Sequence, residues 1–447
     1  MQKCMGVIFL PIHTQDDTFR TRSALTNPAK KRIIFSCSAA CNGRRTGGIP
    51  ADRGRYLLTK FEQKLISTVQ RYVIPIGFAA IAVLAFLLRW AFRDHVTGDW
   101  SIFLSKWIES LKQFPGISGI GQSVGEYYVP YMLFLNIIAR TPFNDLYEIK
   151  LLSILFDYVL AFAAVILICG KKQFFTGKGL AVFFVIMMSP IVFLDSAYWG
   201  QCDSIYVSAL VFCLHFLFRE RYRLTWVFFG LALMMKLQTV FLLPVLLIYY
   251  FATRRMSILN ALYAIGIYLA AAIPALIAGR GLGDTLTIYL RQTGLYRSLT
   301  LSCPNLYYFL TGDFDEFHTM GILLTLCVLG FGACLFIKRR YTTPYAYMTL
   351  AVWTSMVCIY FLPTMHERYV YISCILIVIW AAMTLRRTDI LAAIGLNLVA
   401  LVSFQPYLFS NNEVRLDHMA VYNLAVLGFL TYRLLTIREK KEASPAK

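Results

Sequence analysis

The sequence predicts an all-α, polytopic membrane protein of about twelve transmembrane helices, with a large first extracytoplasmic loop that contains an interfacial helix. Three observations carry this prediction. The 447 residues are 58% hydrophobic and only 15% charged, with a mean hydropathy of +0.61, whereas soluble domains are roughly 45–50% apolar. Apolar runs approaching the ~20 residues that cross a bilayer recur from residue 72 to the carboxyl end. Small basic groups separate these runs, and they fall on alternate turns, as the positive-inside rule demands.

Residues 1–71 are basic, mixed and without a strong period, and read as a cytoplasmic extension. Within them, 61–70 is amphipathic and suits the membrane surface. Cys37 and Cys41 form a lone C-x3-C without the second pair or the histidines that zinc requires. The membrane domain is expected over 72–437, followed by a charged cytoplasmic tail at 438–447. Spans are expected at 72–92, 148–170, 179–195, 203–218, 224–236, 239–252, 258–279, 319–337, 343–361, 369–385, 390–404 and 418–435.

Lys171, Lys172 and Lys178, the run Arg219 to Arg223, Arg254 and Arg255, Lys338 to Arg340, Arg386 and Arg387, and the tail from Arg438 all share one side if the amino terminus is cytoplasmic. Both termini are then cytoplasmic, in a plasma (cell) membrane. This frame requires 127–138 not to cross, so that segment is expected to lie in the outer interface. The net charge of +19 is therefore a matter of topology, and no nucleic-acid partner is expected. The absence of a convincing internal repeat counts against inverted-repeat transporters.

Four polar groups that interrupt the apolar sequence all fall on the outer side: Asp99, then Trp199-Gly200-Gln201-Cys202-Asp203, Lys236-Leu237-Gln238, and His366-Glu367-Arg368-Tyr369. An ionisable residue at membrane depth costs roughly 2.5–3.5 kcal/mol on insertion scales, so their gathering needs a compensating reason. Asp99 follows a glycine and precedes Trp100 and Trp107, which would hold its carboxylate near the bilayer. A raised pKa there would suit a general base, and the same residue could instead cap a helix from Ser101. Asp203 and Ser204 could cap the next helix, although Trp199, Gln201 and Asp203 together offer the donors and acceptors that sugar hydroxyls need. Lys236 is either a snorkelling lysine or a phosphate ligand. His366 and Arg368 can both donate to an anionic oxygen, or sit in an interfacial belt. Asp157, in mid-span, is a functional candidate or a partner for a neighbouring helix. The cytoplasmic loops hold no Gly-rich nucleotide loop and no D-x-D motif, which argues against a soluble nucleotide-sugar donor.

In this order, Thr97-Gly98-Asp99-Trp100, Trp199 to Asp203, Lys236 to Gln238, and Met365 to Tyr369 resemble the bacterial relatives of the second mannosyltransferase of glycosylphosphatidylinositol assembly, in the GT-C superfamily of membrane glycosyltransferases. The resemblance covers residues 72 onward. It implies a sugar donor on a polyprenyl monophosphate, a lipid or glycan acceptor at the outer leaflet, and inversion at the anomeric carbon. The family's first-loop acid would map onto Asp99 as the base, and, since members of the wider superfamily often carry two neighbouring acids here, the spacing leaves open whether Asp99 or Asp94 acts. Lys236, His366 and Arg368 would face the donor phosphate. Trp199, Gln201 and Asp203 would orient hydroxyls, with Gln238, Glu367 and Tyr369 completing the binding set. No metal or other cofactor is expected. The alternative is a flippase or transporter of a lipid-linked sugar, which should spread its polar groups along a path rather than crowd them at one face.

Overall fold

Away from water, a backbone must satisfy its own polar groups, and a helix does so within a single segment. In the computed structural model, which describes residues 58–411 and 413–439, nearly every apolar run is accordingly a helix. The strands among the described residues are two short pieces, Thr300–Leu301 and Met365–His366. They pair in parallel with Thr300 opposite Met365 and Leu301 opposite His366. Residues from Lys60 on form one compact unit. Most of the expected amino-terminal extension, Cys37 and Cys41 included, and the tail from 440 lie outside the described residues.

Six helices among the described residues are long and apolar enough to cross a membrane: Lys60–Trp90, Asp145–Cys169, Ile258–Ile277, Phe314–Arg339, Glu367–Thr384 and Arg387–Leu408. A seventh candidate is the pair Gly177–Met187 and Pro190–Trp199, bent by 48°. Pro190 supplies no N–H and holds Ser189 extended, which accounts for the break. Shorter apolar helices cover Val129–Ile138, Asp203–Phe218, Tyr222–Leu233 and Leu237–Thr253.

Helices Asp203–Phe218 and Pro344–Phe361 are apolar all round and almost wholly buried. The first packs against Asp145–Cys169 and Tyr222–Leu233, the second against Tyr371–Thr384 and Leu416–Leu435. The outer helices instead expose Leu, Ile and Phe, as at Leu87, Leu269, Leu323 and Leu398. So extensive an apolar exterior marks a surface meant for something other than water.

Several boundaries differ from those expected. The first helix starts at Lys60, because no helix breaker separates the amphipathic stretch 61–70 from the apolar run. The two form one rod, and Pro75 is accommodated inside it. The helix expected at 390–404 runs through Pro406 to Leu408, which turns an expected loop residue, Tyr407, into a helical one. Lys236 lies in an extended link between Tyr222–Leu233 and a 3-10 turn at Leu237–Leu242. The segment expected in the interface is the helix Val129–Ile138, which buries Tyr131, Met132 and Leu135 and packs against Ser105–Lys112 and Ala261–Ile277.

Buried polar groups pin the helices together. Asp157 pairs with Arg89 Nε at 2.7 Å, both side chains being fully buried. It also accepts from the hydroxyls of Ser196 (2.5 Å) and Ser204, the latter hydrogen-bonded to Tyr371 at 2.7 Å. Arg89 donates further to the carbonyl of Met187 at 2.9 Å. The mid-span aspartate is thus a tie between helices. Lys150, likewise buried, donates to the carbonyls of Phe92 (2.7 Å) and His95 (2.6 Å), fixing the start of the first loop on helix Asp145–Cys169. Replacing Asp157 by Ala leaves Arg89 buried and uncompensated, so we expect a loss of about 3–5 kcal/mol in stability. The double change Arg89→Met with Asp157→Leu should cost markedly less. Thermal unfolding of the detergent-solubilised proteins compares the two.

Candidate active site

Asp99 stands where four segments meet. Its Oδ2 accepts from Trp199 Nε1 at 3.1 Å, from Arg368 at 2.6 Å and from the Gln201 amide, and its Oδ1 accepts from the Tyr407 hydroxyl. The Arg368 guanidinium lies 5.7 Å from the centroid of the Trp199 ring, which stacks on Tyr407 at 5.0 Å. A cation over an indole face adds a favourable contact to the ion pair.

Local sequence makes this convergence possible. Trp199 closes a π-helical turn at Leu194–Trp199, and Gly200 then adopts φ +80°, which lets the chain reverse and turn Gln201 back toward Asp99. Thr97 donates its hydroxyl to the Trp199 carbonyl at 3.1 Å, locking the two segments together. At Gly98 a Cβ would lie 3.0 Å from the Tyr407 oxygen, so a glycine is what lets the loop approach that closely.

Lys236 bonds both carboxylate oxygens of Asp203 at 2.7 Å and sits 5.8 Å from the Tyr206 ring centroid. Asp203 opens helix Asp203–Phe218 yet spends its side chain on the lysine rather than on a cap. His366 is held by the short parallel strand pair, with the rings of Tyr296 and Tyr369 edge-on at 5.3 and 5.1 Å.

Two cavities adjoin at these residues. The larger, of about 720 Å³, is lined by Lys236, Gln238, His366, Arg368 and Tyr369 and by apolar side chains such as Leu237, Phe241, Leu290 and Ile322. The smaller, of about 340 Å³, is lined by Asp99, Trp199, Gln201, His366, Glu367, Arg368 and Tyr407. Glu126, Tyr127, Tyr296, His366 and Arg368 border both.

Burial alone would raise the pKa of Asp99, but the Arg368 charge and the hydrogen bonds from Tyr407, Arg368 and Trp199 outweigh it and hold the carboxyl below its usual value. This reverses the raised pKa expected from the sequence, which could not show the arginine 269 positions away. Glu126, at the junction of the cavities, is pushed up by burial.

The sequence-predicted residues therefore divide. Asp99, Trp199, Gln201, His366, Glu367 and Arg368 surround the smaller cavity, while Lys236, Gln238 and Tyr369 line the larger. Asp203 lies beneath Lys236, lines neither cavity, and leaves that lysine paired rather than free for phosphate. Asp94 stands apart: its side chain is 62% exposed, takes the Tyr147 hydroxyl and lies 3.3 Å from Arg93. Sequence reasoning missed Tyr407, whose one signal was its place beside Pro406 at the end of a span. It also missed Tyr296 and Asp195, the latter fully buried with neither carboxylate oxygen hydrogen-bonded among the described residues. Compared with known proteins, the chain matches no family model and no curated protein.

A lowered folded-state pKa stabilises above the unfolded value near pH 4, and that contribution is lost as pH falls through the folded value. The thermal stability of the wild type should therefore exceed that of Asp99→Asn at neutral pH, and the gap should shrink below about pH 4. Unfolding curves of both proteins between pH 7 and pH 3 give the comparison.

Proposed function

We propose that the chain is an inverting glycosyltransferase that moves a sugar, mannose by the resemblance, from a polyprenyl monophosphate to a lipid or glycan acceptor. In this reading the chain crosses a plasma membrane about twelve times, both termini are cytoplasmic, and the site opens outward. One observation carries it: Asp99, Trp199, Gln201, Arg368 and Tyr407, drawn from distant segments, converge beside His366 between two adjoining cavities. A two-substrate transfer requires such a junction.

The larger cavity suits the donor, because it combines an apolar wall for a prenyl chain with Arg368 and His366 for its phosphate. As the anomeric carbon–oxygen bond breaks, its electron pair passes to the phosphate, and the cationic side chains stabilise the growing charge. With cations supplied by the chain, the reading calls for no metal. Lys236 contributes at longer range, its own charge being shared with Asp203. Asp99 orients Arg368 and is already ionised at neutral pH, with three donors on Oδ2 and the Tyr407 hydroxyl alone on Oδ1.

The test supplies purified protein in lipid vesicles with polyprenyl-phosphate mannose and measures release of polyprenyl phosphate. We expect turnover by the wild type and a loss of at least about 100-fold in Asp99→Asn. Passage of the sugar-lipid across the vesicle wall without cleavage would instead establish a flippase.

A further inference from the structure

Three carboxylates line the smaller cavity, Asp99, Glu367 and the half-buried Glu126, and the two most buried of them, Asp99 and Glu367, differ sharply in their hydrogen bonding. Asp99 receives four hydrogen bonds. Glu367 is only 4% exposed, and among the described residues it accepts none; the His366 ring Nδ1 lies 3.9 Å from it, beyond hydrogen-bond range. A carboxylate that faces a confined cavity without protein donors is poorly compensated, and it is better compensated as soon as a ligand brings an O–H or N–H to it. Folding gains nothing from this arrangement. A hydroxyl entering the cavity does, since a charge-assisted hydrogen bond is roughly twice as strong as a neutral one.

We infer that Glu367 is the group that receives the acceptor's hydroxyl, binding it and taking its proton, while Asp99 holds the cationic side of the site. This rests on the glycosyl-transfer reading above and assigns the acceptor to the smaller cavity. In the step, the acceptor O–H bond breaks and its proton passes to a Glu367 carboxylate oxygen. The freed electron pair forms the bond to the anomeric carbon, and the bond from that carbon to the phosphate oxygen breaks, its pair leaving on the phosphate beside Arg368. Glu367 needs no rearrangement for this, because no donor among the described residues occupies its acceptor capacity beforehand. Position in the chain supports the same division of labour. Glu367 sits between His366 and Arg368, which border both cavities, so one short turn presents a base to the acceptor and an imidazole and a guanidinium to the donor.

The experiment uses full-length protein in lipid vesicles, polyprenyl-phosphate mannose as donor and octyl mannoside as the acceptor probe. Wild-type release of polyprenyl phosphate should accelerate with octyl mannoside. In Glu367→Gln that acceleration should fall by about 100-fold or more, with donor affinity within about twofold of wild type, and Glu367→Asp should restore part of it. The thermal transition of Glu367→Gln should match or exceed that of the wild type, because the carboxylate has no hydrogen-bond donor among the described residues to lose; a merely structural carboxylate would lower it. Glu367→Gln that keeps wild-type kcat and KM for octyl mannoside overturns the role alone. Wild-type release that octyl mannoside leaves unchanged also overturns it, and no release at all by the wild type overturns the glycosyl-transfer reading together with it.

Discussion

The 2.6 Å contact between Arg368 and Asp99 joins residues 269 positions apart, and the organisation of the site depends on it. Each charge is about 15% exposed at the side chain, so neither could remain ionised there at low cost without the other. Trp199 serves both partners, donating to the carboxylate and lying under the guanidinium. Tyr407 and Gln201 complete the set, so that one acid holds three separate segments to its own. A packed apolar interior has little directional preference of its own. Directional bonds to Asp99 are what fix these segments in relation to one another.

Deeper in the helical body the same constraint gives ties rather than chemistry. Arg89 and Asp157, with Ser196 and Ser204, anchor the first helix, the helix Asp145–Cys169, the bent pair and the helix Asp203–Phe218 to one another. Lys150 then holds the carbonyls of Phe92 and His95 just before Asp99 in the chain. The loop that carries the site's acid is thereby fastened at its base, close to the pinned end of the first helix.

Much of this was legible in residue order. Helical character follows from the long apolar runs, and the grouping of Asp99, Trp199, Gln201, His366 and Arg368 follows from placing polar breaks on one side of those runs. What escaped depends on distance across the fold. The low pKa of Asp99 comes from Arg368, and the occupation of Lys236 comes from Asp203, pairings that sequence spacing does not reveal. Tyr407 looked like a loop residue because Pro406 ordinarily ends a helix, yet the helix continues through it to Leu408. Arg89 was hidden at the end of a span, where an arginine reads as an ordinary interfacial charge.

The two-residue strand pair has a mechanical consequence. Thr300–Leu301 lies beside Met365–His366, and the Thr364 N–H donates to the Leu299 carbonyl at 2.9 Å. The stretch leading from residue 280 to helix Phe314–Arg339 is therefore tied by backbone hydrogen bonds to the residue that carries the His366 imidazole. Any displacement of that stretch would be transmitted through this pairing to the residue that carries the imidazole, so the position of the loop and that of the ring are set together.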